Sequence, residues 1–447
     1  MTGAVKRVLV VGSWAKEQIT IENIKKDTDI KVFSYMDTKN PGIITLANGY
    51  RIGSLYDIKN ILNYAKEKKI ELVVITTAGP LSAGLVNVLE KEEILVFGPN
   101  KQAAGLEFDK AFTRELMKKY LINAIPEFKV FDDVDKAIDF AGILNWNVAV
   151  KPVGLTDGLG VRVFGDQLKT KEDVMNYIKE IYSKKISGSS RVLIEKKLEG
   201  VEFTLQCLVN GDLIIPTPAV QDFKKLLPGE TGPNTASMGS YSDTGYLLPF
   251  MEQEDYDEAI KIIKKTLEAF QLETGKRCSG FLYGQFMITD DGVKLIEYNF
   301  RPGDPEWMNT VYPMKNNLLD LIISLMNGNK KKLEFENTAT VCKYIVPRDY
   351  PRRLNQTLNV ILDENRIRKK GVAIYYSSGL DGQGNLNVGT ERGIAFLAKS
   401  STIFEAHKKV EEAISSVKGD FYYRSDIGTE ELIKSKINYV NRLKHCK

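Results

Sequence analysis

Glu297-Tyr298-Asn299-Phe300-Arg301-Pro302-Gly303-Asp304-Pro305-Glu306 is the stretch on which the reading of this 447-residue chain turns. It ends an apolar run, Val293 to Tyr298, that reads as a strand. Residues i and i+2 of a strand face the same side, so Glu297 and Asn299 present two hard oxygen donors together. Mg²⁺ suits such a pair, because it takes one or two carboxylates and completes its shell with substrate phosphates and water. A Glu-x-Asn pair alone is common on ordinary surfaces. The sequel sets this one apart: an Arg, an Asp and a Glu follow within six residues, stiffened by two prolines and a glycine.

Working outward, Gly280 to Thr289 pairs with Val293 to Tyr298, and an amphipathic helix, Glu254 to Phe270, precedes the pair. Upstream of a β-rich stretch from Val192 to Ala219, Lys151 ends the strand Asn147 to Lys151. It leads into Gly154-Leu155-Thr156-Asp157-Gly158-Leu159-Gly160-Val161. Glycines spaced like Gly154, Gly158 and Gly160 let the backbone approach a phosphate and point N–H groups at it. Lys151 adds a compact cation at the base. The pattern is neither GxxxxGK[ST] nor a clean GxGxxG, and a hairpin whose glycines serve only the turn reads the same way.

The two ends of the chain have different textures. Residues 1–103 alternate strands (Val8 to Val11, Ile30 to Tyr35, Leu72 to Thr76, Ile94 to Phe97) with helices such as Ile58 to Lys68 and Ser82 to Glu90. That predicts an α/β domain on a parallel sheet. Residues 104–335, opened by helix Lys110 to Tyr120, predict an α+β module. Residues 336–447 read as a small β-rich domain with a Gly-rich turn (Gly379 to Gly384) and one helix, Ile403 to Ser416. Lys330 to Lys332 reads as a solvated linker.

Composition narrows the chemistry. With 62 basic and 58 acidic residues the net charge is +4, too slight for a nucleic-acid footprint. No apolar run approaches the ~20 residues that span a membrane, and no signal-peptide pattern precedes the first strand. A cytoplasmic protein is expected, a monomer or weak homo-oligomer acting on small molecules. Cys207, Cys278, Cys342 and Cys446 lie far apart and predict reduced thiols. Histidine occurs only at 407 and 445, which argues against a Ser-His-Asp triad or a histidine metal site. Catalysis is left to carboxylates, lysines, arginines, backbone amides and a hard cation.

Glu297 to Glu306 resembles the E-[FY]-N-x-R-x-G-D-P-E segment of the glycinamide ribonucleotide synthetases, within the ATP-grasp superfamily. Other stretches resemble the same family in order. They are Val8-Leu9-Val10-Val11-Gly12-Ser13, Phe97-Gly98-Pro99 with Leu106-Glu107 and Lys110-Ala111-Phe112, and Thr231-Gly232-Pro233-Asn234-Thr235 with Met238-Gly239. Gly280-Phe281-Leu282-Tyr283 and Tyr423-Arg424-Ser425-Asp426-Ile427-Gly428 complete the set. The resemblance implies a pre-ATP-grasp domain, a central ATP-grasp module and a small C-terminal domain. It implies ATP with Mg²⁺ (or Mn²⁺), and glycine joined to phosphoribosylamine through an acyl phosphate in purine biosynthesis. By that resemblance Lys110 and Lys151, with Gly158 and Gly160, contact nucleotide phosphates, Glu195 lies at the adenine-side hinge and Glu202 accepts from ribose hydroxyls. Glu297 and Asn299 hold the metal. Arg301 and Asp304, with Lys151, serve catalysis, and Gly12, Ser13, Asp222, Lys224, Asn234, Thr235 and Arg301 face the substrates.

The departures cluster on the acceptor side. The family's GSGGREH turn reads Gly12-Ser13-Trp14-Ala15-Lys16-Glu17-Gln18, and its GPE reads Thr76-Thr77-Ala78. Its GKG carries Leu159, its QDHKR reads Gln221-Asp222-Phe223-Lys224-Lys225, and its TGG reads Thr235-Ala236-Ser237. Three readings stay open: a divergent synthetase with compensating contacts, a paralogous carboxylate–amine ligase with another amine, or a non-catalytic nucleotide binder. Trp14 either narrows the acceptor's phosphate site or packs away from it.

Overall fold

The computed structural model describes residues 5–154, 160–188, 190–352, 356–389 and 392–445. The first sheet is parallel and follows the expected alternation. Strands β1 (Arg7–Val11), β2 (Lys31–Met36), β3 (Gly49–Ile52), β4 (Leu72–Ile75) and β5 (Leu95–Phe97) stand in the order β3-β2-β1-β4-β5. Along β1, Val8 and Val10 enter one core cluster and Leu9 and Val11 another. Both faces are therefore covered, and that is why these strands read as unbroken apolar runs. The helix expected over Ser82 to Glu90 is two, Ala78–Ala83 and Leu85–Lys91, because Gly84 takes φ +88° between them. Helix α1 (Ala15–Ile24) leaves β1 through the Gly12–Trp14 turn.

Two antiparallel sheets follow. Strands β6 (Phe128–Phe131), β7 (Val148–Pro152), β8 (Arg162–Val163) and β9 (Val192–Lys196) pair in the order β6-β9-β7-β8. Then come β10 (Val201–Asn210), β11 (Leu213–Pro216), β12 (Gln221–Asp222), β13 (Lys225–Leu227), β14 (Thr231–Asn234), β15 (Gly239–Ser242), β16 (Ser279–Thr289) and β17 (Gly292–Asn299). Of these, β11-β10-β16-β17 make the second sheet and β13-β14 a separate hairpin. The long helix Gln253–Thr274 packs on β16 and β17.

The C-terminal sheet does not respect the expected boundary at 336. Its central strand β18 (Ala339–Val346) pairs with Ile394–Ser400 on one side and with β15 on the other, Gly239 opposite Lys343, and β12 adds beyond β15. Gln221–Asp222 and Gly239–Ser242 are thus sewn into the last sheet. Three helices stand here where one was expected: Glu364–Lys369, Ile403–Ser415 and Glu430–His445. Cys207, Cys278 and Cys342 are free and buried, and burial raises each thiol well above its usual range. Among the described residues no helix is long and apolar enough to cross a membrane.

Candidate active site

A cleft of about 620 Å³ is lined by residues of the two antiparallel sheets and of both terminal regions of the chain. Its lining includes Lys110, Lys151, Glu195, Glu202, Asp222, Lys224, Asn234, Thr235, Asp304 and the strand end Glu297, Asn299 and Arg301. Trp14, Arg392 and Lys436 reach it from the two terminal regions.

The strand end owes its chemistry to one extra residue. From Thr289↔Gly292 to Phe286↔Leu295 the β16–β17 hairpin keeps one register, but Gln285 pairs with Glu297, which leaves Ile296 as a bulge. A bulge re-aims the side chains after it. Before it the odd residues Val293 and Leu295 are buried; after it Tyr298 and Phe300 are. Glu297 and Asn299, which an unbroken strand would turn into the core, therefore face the cleft. The freed Ile296 carbonyl accepts from Arg114 Nη2 at 2.6 Å and Lys151 Nζ at 3.5 Å.

Glu297 is the open group of this strand end. Burial raises its pKa, but the charges of Lys110, Lys224, Lys151 and Arg301 outweigh it, and the net shift is downward. Among the described residues no hydrogen bond or ion pair engages its carboxylate. An ionised, unengaged carboxylate beside the Asn299 amide oxygen fits a hard cation. Arg301 is fixed alongside: its Nε lies 3.4 Å from Glu107, its Nη1 donates to the Pro302 carbonyl at 3.2 Å, and its Nη2 to Asn299 Oδ1 at 3.4 Å.

Lys151 and Glu195 form a buried triad with Arg114. Glu195 accepts from Arg114 and from Lys151, both at 2.5 Å, with every partner at most 5 % exposed. Burial raises the Glu195 carboxyl, but the two cations outweigh it and the net shift is downward. For Lys151 burial wins and the ammonium is shifted down, since it shares its carboxylate with Arg114. Lys110 Nζ lies 3.4 Å from the Gly154 carbonyl. The Gly160 carbonyl accepts from Tyr177 OH at 2.5 Å, and Gly158 and Leu159 lie outside the described residues. Glu202 accepts from Gln285 at 2.8 Å and faces Lys224 at 3.5 Å.

Some expected residues stand differently. Gly12 and Ser13 are behind the wall: the Ser13 hydroxyl bonds to the Asp37 carboxylate, and a Cβ on Gly12 would meet Glu17 at 2.6 Å. Trp14 and Lys16 line the cleft in their place. Trp14 is extended (φ −112°), so this position needs no glycine backbone. Asp304 reaches the cleft with its carboxylate engaged by Arg392 at 2.9 Å, Tyr344 and Ser377. Ser237 holds φ +82°, where glycine is favoured, and its hydroxyl bonds the Gly239 carbonyl at 3.0 Å. Phe223 packs in the core against Tyr241 and under Arg424.

Glu107, Tyr283, Gln285, Glu306 and Arg392 line the same cleft; the sequence reading quoted Glu107, Tyr283 and Glu306 inside its motifs without giving them a role in the site, and passed over Gln285 and Arg392. A phase change from Val293/Leu295 to Tyr298/Phe300 signals the bulge that sets Gln285 opposite Glu297. Glu107 and Arg392 carry no local signal.

Comparison with known proteins agrees with this geometry. Residues 6–107 match the family described as phosphoribosylglycinamide synthetase, N domain, and residues 108–307 match its ATP-grasp (A) domain. The chain is 40 % identical to the phosphoribosylamine–glycine ligase of Methanopyrus kandleri over 445 residues, covering 98 % of this chain and 99 % of that protein. The crystal structure of phosphoribosylamine–glycine ligase from Thermotoga maritima superposes with a TM-score of 0.80 at 25 % identity, covering 94 % of this chain and all of that one. The biotin carboxylase domain of Hydrogenobacter thermophilus 2-oxoglutarate carboxylase, solved with MgADP and bicarbonate, shares the fold. Its TM-score is 0.72 at 15 % identity, over 99 % of this chain and 98 % of that chain. With a full-length relative at this identity and its two domains matched in order, the chain belongs to the phosphoribosylamine–glycine ligase family.

Proposed function

We propose that the protein joins glycine to 5-phosphoribosylamine, converting ATP to ADP and phosphate, in purine biosynthesis in the cytoplasm. Its partners in this reading are small molecules, with no nucleic acid and no membrane, and it acts as a monomer or weak homo-oligomer. The observation that carries the reading is the bulged strand end, which turns an ionised Glu297 and Asn299 into a cleft lined by Lys110, Lys151, Lys224 and Arg301. Glycine's carboxylate oxygen attacks the γ-phosphorus and ADP departs, leaving an acyl phosphate. The amine nitrogen of phosphoribosylamine then attacks the carbonyl carbon, loses a proton and expels phosphate. Glu297 and Asn299 would hold Mg²⁺ (or Mn²⁺), which would supply neutralisation of phosphate charge. Lys110 and Lys151 position the nucleotide phosphates beside the glycine-rich turn, and the Lys196–Leu198 backbone with Glu195 and Glu202 frames the nucleoside end. Arg301 supports the charge that develops on the carbonyl oxygen. Such catalysis is positioning plus charge neutralisation, and it needs no histidine.

Two measurements test this. ADP release with glycine and phosphoribosylamine should exceed that with other acids and amines; equal or greater release with another amine would favour the paralogous ligase. ATP with Mg²⁺ should raise the thermal midpoint, since a ligand bound only by the folded state stabilises it, and Lys151→Ala should remove most of that rise. No shift in the unmodified protein would sink the assignment.

A further inference from the structure

Strands β6 to β9 and the helices Val134–Ile143 and Lys171–Lys184 form a lobe with a core of its own, from Phe131 to Ile194, separate from the main core of the chain. The lobe is tied to the rest of the chain by the Arg114–Glu195–Lys151 triad and by Ala111 against Val153 and Leu193. At the edge of its sheet, β8 ends in a tight turn with Gly165 at φ +81°, and Asp166 in that turn lines the cleft. The turn holds itself together: Val163 N donates to Gln167 Oε1 at 2.9 Å, and Gln167 Nε2 donates to Asp166 Oδ2 at 2.8 Å. Lys225, on the β13–β14 hairpin, donates its ammonium to both Asp166 oxygens at 2.5 Å.

The hairpin places three groups of the site. Lys224 comes just before it, Asn234 ends it and Thr235 follows, and all three line the cleft. Two strands alone are marginal in water, and these two belong to no larger sheet. A second anchor comes from the end of the chain. The fully buried Arg424 donates from Nη1 to the Lys225 carbonyl at 3.1 Å and pairs with Glu230, and Asp426 Oδ2 accepts from Gly229 N at 3.1 Å. Lys225 is therefore a joint, its carbonyl held by Arg424 and its ammonium by the lobe. Thr235 in turn hangs on the Lys224 carbonyl, through its amide at 2.7 Å and its hydroxyl at 2.8 Å. A shift of residues 224–225 carries Thr235 with it.

We propose that Lys225 and Asp166 form a latch through which the nucleotide-holding lobe sets the hairpin, and with it Lys224, Asn234 and Thr235, in place for the second substrate. This rests on the ligase reading above. Both are positioning residues, acting through the hairpin. The Asp166 side chain is 41 % exposed, and a pair so open adds little to global stability. Made in one arrangement of the lobe and broken in others, it nevertheless biases that arrangement by its full worth. A nucleotide that favours the arrangement then orders the hairpin, and by reciprocity an acceptor held on the hairpin tightens the nucleotide.

The test is amide hydrogen exchange of residues 225–235 in the full-length protein, with and without Mg²⁺ and a non-hydrolysable ATP analogue. In the unmodified protein the analogue should slow exchange there by about 2- to 5-fold, the size that a half-exposed ion pair supplies. Lys225→Met and Asp166→Asn should each abolish the slowing while the analogue still raises the thermal midpoint. Lys225→Arg should keep it, and Lys225→Asp combined with Asp166→Lys should restore it. In turnover, Lys225→Met should raise the KM for phosphoribosylamine by the same factor and leave kcat unchanged. Slowing that persists in folded Lys225→Met and Asp166→Asn overturns the latch. So does an analogue that binds the unmodified protein without slowing the segment, and both results leave the ligase reading intact. An analogue that does not bind at all overturns the ligase reading, and the latch with it.

Discussion

Lys151 stands between two carboxylates with different fates. Glu195 is sealed between Lys151 and Arg114, whereas Glu297 faces the cleft with no hydrogen bond or ion pair among the described residues. Breaking a buried ion pair leaves its cations uncompensated, which costs about 3–5 kcal/mol. Glu195→Gln should therefore lower stability by that order in denaturant unfolding. Glu297→Gln should do the reverse, cutting turnover on the order of 100-fold or more with little change in the unfolding midpoint. Equal turnover at saturating Mg²⁺ would make Glu297 merely structural. Glu297 was legible in the sequence, since a charged group closing an apolar strand is a local pattern, whereas Glu195 was picked out only through the family resemblance. Glu107 and Arg392 were not, because each acts on a segment far along the chain: Glu107 on the Phe300 amide and Arg392 on Asp304.

At the level of the element, the strand–turn–helix at Gly12 to Ile24 and the bulged hairpin make the useful contrast. The hairpin's strands were read correctly from their apolar runs, but Ile296, the residue that aims the pair, hides in a phase shift. In the turn, the sequence showed what was lost against the family and not what took its place. Trp14 and Lys16 now line the cleft, with Lys16 Nζ 3.4 Å from the Pro302 carbonyl and 5 % exposed. A lysine cannot reproduce a bidentate guanidinium–phosphate contact, and the indole takes room. Trp14→Gly combined with Lys16→Arg should accordingly lower the KM for phosphoribosylamine and leave that for ATP unchanged. If the unmodified protein already has a tight KM that the changes worsen, this turn is a working variant of the phosphate site.

For the whole molecule, the sequence conveyed three textures but not their interweaving. Strand β15 is short and polar, so its place between β12 and β18 leaves no signature of its own. Because β15 needs β18, a fragment ending at residue 335 should lack ATP-dependent thermal protection, and retention of that protection would mean the cleft forms without the last sheet. The same sheet carries a pH signature. Lys343 is fully buried, bonded to Glu411 at 2.6 Å, to the Ser425 carbonyl at 2.6 Å and to His407 Nδ1 at 3.0 Å. Burial pushes its ammonium down to about 8. Between about pH 8 and the ordinary lysine value of 10.5 the unfolded chain holds a proton that the folded one has released, so stability rises with pH across that window. The unfolding free energy of the unmodified protein relative to Lys343→Met should grow from pH 7.5 to pH 10. A flat or falling difference would show that the burial does not perturb this lysine.

The cleft takes part of its lining from Trp14 and part from Lys436, and this has a bearing on how the protein is made. Translation adds about 5–20 residues per second, so roughly 20–80 s separate the synthesis of these two residues. For the later part of that interval the growing chain carries Lys110 and Lys151 in an incompletely lined groove. A nascent or prematurely terminated chain therefore lacks part of the cleft's lining.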